Sequence, residues 1–247
     1  MGLTLDQIAN LFHLTGSLPY GDTAVTQAEH ARQTAALALA EDAAAPLVTA
    51  ALLHDLGHLI IQHPDIVRIE GADYKHQYFV LPFLRGLFGS DVLEPIRLHV
   101  EAHRYLCFVE PDYLGPRNSA ARRALDQAGG VFDATQASEF SSIPWAPEAI
   151  RLRRWDDQAC LISAEPPPPL SYFLEIASGV AQRHQAMRLP RLGSLPQESS
   201  GQPTTRHSAA RQRATPSTLQ STVPSTVPTA VPNTATISPW PAAAKHR

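Results

Sequence analysis

Along the first part of the chain, apolar residues recur at the three- and four-residue spacing of a helix with one buried face. Leu3, Leu5, Ile8, Leu11 and Phe12 make the first such stripe, with Thr4 placed to cap it. Helical spacing also predicts an element over Thr23 to Glu41 and another over Leu47 to Ile61, which starts at Pro46 and is apolar on most sides, so it should be central. Tyr74 to Phe88 reads as a further helix stopped by Gly89, and Ser90 or Asp91 caps the next, which runs to about Phe108 with Pro95 in its first turn. Arg117 to Ala128, closed by Gly129-Gly130, then Glu148 to Cys160 and Ser171 to Ala186 complete the set, with a loop through Pro144 and Pro147. No segment alternates β-branched or aromatic residues with polar ones for long, so little or no sheet is expected and the fold class is all-α.

From about Leu189 the pattern stops. Ser, Thr, Pro, Ala and Gln take over, including Ser221-Thr-Val-Pro-Ser-Thr-Val-Pro, and too few bulky side chains remain to offset the entropy of ordering. The expected organisation is a folded domain over residues 1–188 and a disordered low-complexity tail over 189–247. Charge divides at the same place: the tail has six Lys and Arg against one Glu, the rest fourteen against twenty-two Asp and Glu, or +5 and −8 within a net −3. A domain this acidic is a poor nucleic-acid surface, although arginines gathered locally can still hold a small anion. Two cysteines without a Cys-x-x-Cys, no basic-then-apolar leader and no membrane-length apolar run lead to the expectation of a cytoplasmic protein without membrane contact.

The chemistry concentrates in Leu52-Leu53-His54-Asp55-Leu56-Gly57-His58. Burying His54 and Asp55 in an apolar run without partners costs several kcal/mol, so something must compensate them. A lone pair of this kind is more often a hydrogen-bonded core histidine beside a helical aspartate. This pair has company: His30 on the preceding helix, His76 and His99 on the two following, and Asp156 beside Trp155 on a later one. Imidazoles suit transition metals, and a carboxylate can bridge two of them.

One His, then His-Asp, then a distant Asp resembles the HD superfamily, a helical bundle around metal, and the extra His76 and His99 resemble its subset with six protein ligands and two metals. More narrowly, Tyr20, Gln27 to His30, Leu52 to His58, Lys75-His76-Gln77, Arg104-Tyr105-Leu106, Gly129-Gly130 and Arg153 to Asp156 are similar to the phosphonate-cleaving HD-domain diiron oxygenases of the PhnZ type. The resemblance spans roughly Leu11 to Asp156. It implies His30, His54, Asp55, His76, His99 and Asp156 as ligands of two iron ions, Fe(II)/Fe(III), with Asp55 bridging. It also implies an oxidoreductase of phosphonate degradation, which uses O2 to cleave the carbon–phosphorus bond of a small anionic 1-hydroxyphosphonate to a carboxylate and phosphate.

His58, four residues after His54, matches a histidine that holds the phosphonate, with the orienting of a ligand as the equally weighted alternative. Arg153, three before Asp156, matches a bidentate anion clamp, and Tyr20 a tyrosine covering the resting site. The chain departs from the family pattern where Thr23 replaces a gate glutamate, with Asp22 an imperfect substitute. It departs again where His103 replaces a lysine of the anion pocket, and where Ala121 and Ala124 replace small hydroxyl residues. A rival from the same superfamily is a phosphohydrolase of nucleotides or phosphate monoesters, working with Mn(II) or another divalent ion on the same ligands. A second rival is a degenerate module for signalling, which six retained ligands argue against.

Overall fold

The computed structural model describes residues 2–63, 75–114, 119–159 and 165–188. Among them the backbone is helical and forms no strand, and the one extended pairing is an isolated antiparallel bridge between Pro19 and Thr26. The expected tail and its boundary lie outside the described residues, as do Tyr74, Arg117 and Cys160.

Helix α1, Leu5–Thr15, begins at a capping box in which Thr4 and Gln7 satisfy each other's backbone N–H. Helix α2, Gln27–Ala40, starts four residues later than the apolar spacing predicts, because Thr26 and Glu29 form a second capping box there. Residues 16–26 are thereby released as a loop that carries Tyr20. Helix α3, Ala45–Leu53, has Pro46 in its first turn, and every residue from Leu47 to Leu53 is buried. Each of its leucines contributes roughly 1.5–3 kcal/mol by leaving water.

The long central helix expected to reach Ile61 is interrupted at His54-Asp55, after which α4 runs over Leu56–Ile61. Tyr74 to Phe88 is likewise two short helices, α5 at His76–Phe79 and α6 at Leu81–Leu84. Pro82 explains that division, since it has no N–H to give the Tyr78 carbonyl and its ring crowds that oxygen. Helix α7, Ser90–Val109, is the longest described, and Pro95 lies inside it rather than in its first turn, which removes one backbone bond near the start.

Helix α8 is Ser119–Gln127, and α9, Ala134–Ser141, occupies a stretch expected to be loop. Its signal was present, because Asp133 and Gln136 make a third capping box. Helix α10, Ala146–Gln158, takes Pro147 into its first turn instead of starting after it, and α11 is Leu170–Arg188. The buried α3 is packed against α2, α7, α10 and α11. A smaller apolar cluster of Leu98, Ala102, Phe132, Phe140 and Ala149 ties α9 to α7 and α10. Helices α2, α7 and α10 thus surround the C-terminal end of α3. No helix among the described residues is long and apolar enough to cross a membrane.

Candidate metal centre

At the break after α3, Asp55 has φ −101° and ψ 10°, the sparsely allowed bridge conformation in which active-site residues recur. On a continuous helix His54 and Asp55 would point about 100° apart. With the helix interrupted, His54 Nε2 and Asp55 Oδ2 are 3.3 Å apart, facing one point. His30 from α2 joins them, with Nε2 3.3 Å from His54 Nε2 and 3.1 Å from Asp156 Oδ1, which α10 supplies. The other carboxylate oxygen of Asp55 turns away to a second group. Its Oδ1 is 3.1 Å from His76 Nε2 on α5 and 3.8 Å from His99 Nε2 on α7, and those two nitrogens are 3.1 Å apart.

Two overlapping clusters result: His30, His54, Asp55 and Asp156, and then Asp55, His76 and His99, each with donor atoms close enough to hold one ion. All six are buried or nearly so. His54 donates its Nδ1 hydrogen to the Ala51 carbonyl (2.9 Å), His99 to Ile96 (2.7 Å) and His30 to Ala159 (3.4 Å). With Nδ1 committed to a carbonyl, each ring turns its Nε2 inward. Lone pairs of His30 and His54 pointing at each other and at two carboxylates are mutually repulsive until a cation lies among them. Imidazole and carboxylate together suit a transition-metal ion, so these residues fit a metal.

The electrostatics show the same demand for positive charge, met by a proton on His54. Burial disfavours a charged His54, but the carboxylates of Asp55 and Asp156 outweigh it and hold its pKa well above the ordinary imidazole range. Burial likewise opposes ionisation of Asp55 and Asp156. His54 with His76 in the first case, and Arg153 with His54 in the second, nevertheless hold both carboxyls well below the usual range. Burial, with His76 and His54 as neighbours, lowers His99 to about 3, so its ring stays neutral and its lone pair available.

Around the cluster, the Tyr20 ring stacks on His30 at 3.6 Å between centroids, and its hydroxyl donates to Asp156 Oδ1 (3.2 Å). His58 stacks on His76 at 4.0 Å. Gly57 makes that region possible, because a Cβ there would sit 2.5 Å from the His76 carbonyl oxygen. Arg153 NH1 is 3.0 Å from Asp156 Oδ2, but its Nε and NH2 are taken bidentately by Asp157, at 3.0 and 2.5 Å. The bidentate edge expected to grip an anion is filled by a neighbouring aspartate, a partner the sequence signalled only as an acidic residue four after Arg153.

His103 is buried with its Nε2 unpartnered, and burial together with Arg153 lowers its pKa to about 3. It is therefore a neutral ring at ordinary pH, without the charge of the lysine that the family pattern has there. Asp22 pairs with Arg123 at the surface (3.2 Å), whereas the Thr23 hydroxyl donates to the Tyr20 carbonyl (2.7 Å). Ala124 is exposed, whereas Ala121 is half-buried. The Arg104 and Gly129-Gly130 motifs meet as a structural clasp, with Arg104 donating to both glycine carbonyls at 3.0 and 2.6 Å.

A helical bundle carrying His, His-Asp and a distant Asp at one buried centre defines the HD-domain class, and the HD-domain family matches residues 28–132. Hydroxymethylphosphonate dioxygenase of Gimesia maris is 36% identical over 176 residues, 70% of this chain and 88% of that protein. The glycine-betaine-forming [1-hydroxy-2-(trimethylamino)ethyl]phosphonate dioxygenase of Leisingera caerulea is 30% identical over 183 residues, 74% and 93%. Uncharacterized protein L432 of Acanthamoeba polyphaga mimivirus is 31% identical over 172 residues, 68% and 78%. The chain belongs to the HD-domain family, in the phosphonate dioxygenase group that these relatives represent.

Proposed function

We propose that this chain is a diiron oxygenase that uses O2 to cleave the carbon–phosphorus bond of a small 1-hydroxyphosphonate, giving a carboxylate and phosphate. The observation that carries the reading is Asp55, whose two oxygens serve two different groups of nitrogen ligands, the arrangement of a carboxylate bridging a pair of ions. The names of two relatives supply the substrate class. His30, His54 and Asp156 would hold one iron, His76 and His99 the other, with Asp55 between. The iron pair, when bound, supplies the activation of O2 and the oxidation of C1.

The protein's own residues do the rest. Arg153 presents NH1 beside Asp156, where it can receive a phosphonate oxygen, and the unpartnered Nε2 of His103 adds a neutral hydrogen-bonding group in a dry setting. His58, stacked on His76, lies beside the second group and can contact the bound anion or steady that ligand. Tyr20 covers His30 and holds Asp156 through its hydroxyl, which keeps water off the first group.

The test is oxygen consumption coupled to phosphate release, using anaerobically purified, iron-loaded protein and a panel of small 1-hydroxyphosphonates. Stoichiometric O2 uptake and phosphate release, with an EPR signal of a mixed-valent pair after partial oxidation, is the expected result. Hydrolysis of phosphate monoesters with Mn(II) and no oxygen uptake would overturn the reading in favour of a phosphohydrolase.

A further inference from the structure

Arg153 sits between two carboxylates, and only one of them belongs to the metal-ligand cluster. Asp157 occupies its Nε–NH2 edge, and the Tyr113 hydroxyl in turn donates to Asp157 Oδ2 at 2.7 Å from the turn that follows α7. That turn is pinned to α10 a second time, because Arg154 pairs with Glu110 and lies over the Tyr113 ring at 5.6 Å. The Tyr113 ring is also 6.2 Å from that of His103, so the chain of contacts runs beside the unpartnered nitrogen as well.

We infer that Asp157, held by the Tyr113 hydroxyl, is a positioning residue for anion binding, fixing the Arg153 guanidinium so that its NH1 corner alone faces Asp156 and the metal-ligand cluster. The inference rests on the reading of this site as one for a phosphonate. An unrestrained arginine carries substantial rotamer entropy, which a ligand must otherwise overcome when it binds. A guanidinium already bonded along one edge has lost most of that freedom before substrate arrives. Asp157 also offsets part of its charge, which tempers the hold of Arg153 on Asp156 and leaves that carboxylate to its metal. Burial and the adjacent Asp157 raise the pKa of Tyr113, so its hydroxyl keeps the proton it donates. Arg153 remains charged, since Asp157 and Asp156 outweigh the burial that opposes its ionisation.

The experiment uses the full-length, metal-loaded protein without oxygen and inorganic phosphate as the probe, with the dissociation constant measured calorimetrically for wild type, Asp157→Ala, Asp157→Asn and Tyr113→Phe. Asp157→Ala should weaken phosphate binding by about tenfold, equivalent to about 1.4 kcal/mol. Asp157→Asn, which keeps the shape and one acceptor, should fall between it and wild type, and Tyr113→Phe should weaken binding about threefold, with metal content unchanged throughout. In parallel, dicarbonyl labelling of arginines read by peptide mass spectrometry should find Arg153 several times more reactive in Asp157→Ala, with Arg104 unchanged. Phosphate affinity within twofold of wild type in all three variants overturns the inference, and so does unchanged Arg153 labelling. Should wild type bind no phosphate at all, the phosphonate reading fails, while the labelling still decides whether Asp157 holds Arg153.

Discussion

The two halves of the candidate centre are built to different standards. The first takes His30 from the fourteen-residue α2, His54 from the end of α3, buried from Leu47 to Leu53, and Asp156 from the thirteen-residue α10, and both of its imidazoles are anchored at Nδ1 by backbone carbonyls. The second takes His99 from α7, equally well anchored, but His76 from α5, a helix of four residues. His76 is also the more exposed ligand, at 12% against 0% for His30 and His54. What locates α5 is its packing on α4 and α7, with the Tyr78 hydroxyl bonded to Glu101 across the α5–α7 contact. Burial, with Glu101 beside it, pushes Tyr78 up to about 12, so this brace persists through the neutral range. A preorganised half binds before and more tightly than a half whose backbone must be held in place. On the proposed diiron reading, the difference predicts stepwise loading, first ion at His30, His54 and Asp156, second ion at His76 and His99.

The largest effect that could break this contrast comes from deleting one ligand on each side. Changes to partners of ligands alone cost about 10- to 100-fold in metal affinity, so removing a ligand should cost more than about 100-fold. His54→Ala should therefore lose both ions, because Asp55 also loses its nearest partner in the first group. His76→Ala should retain one. Metal analysis after gel filtration decides it, and equal losses in the two variants would show that the halves load together.

Gly57→Ala is a subtler perturbation of the second half alone. The added methyl would lie 2.5 Å from the His76 carbonyl oxygen and 3.0 Å from its Cβ, backbone and near-backbone atoms that cannot swing aside. Overpacking of this kind costs about 1–3 kcal/mol, and relief requires α5 to retreat from α4. The expected protein is folded, with a modestly lowered Tm and metal content reduced from two ions to one. Two ions at wild-type affinity would mean that α5 has other means of placing His76.

The contrast between the halves bears on what could be read in advance. His30, His54 and Asp156 stand on or at the end of helices whose apolar spacing was legible, although α2 and α10 start elsewhere than expected, and α3 was legible as a buried central helix. The break at His54-Asp55 was not legible, because the apolar spacing resumes directly after the polar pair, no proline stands between Leu47 and Ile61, and Asp55 makes no side-chain capping bond. It is a tertiary effect that re-aims two adjacent side chains. The division of Tyr74 to Phe88 was signalled by Pro82, and α9 by Asp133 with Gln136; both are local rules that a pattern of apolar residues overlooks. Asp157 and Tyr113 were invisible, since a side chain that fills a guanidinium edge from four residues away looks like any acidic residue on a helix surface.

Tyr20→Phe gives the smallest effect, and the one most diagnostic of which half a residue serves. The phenylalanine ring can keep the 3.6 Å stack on His30, while the hydrogen bond to Asp156 is lost. A net hydrogen bond to a charged group is worth about 1.5–3 kcal/mol, and with Arg153 still holding Asp156 the loss should fall at the low end, so affinity for the first ion should drop by about tenfold. Asp156 keeps Arg153 NH1 at 3.0 Å, which limits how far its carboxylate can move. The second ion should be unaffected, because the Tyr20 ring stacks on His30 and its hydroxyl bonds Asp156, both in the first half. Competition with a graded chelator separates the two affinities: a fall confined to the tighter step supports the division of the centre. Loss of the weaker ion would show that Tyr20 acts through Asp55, and that the two halves are mechanically one.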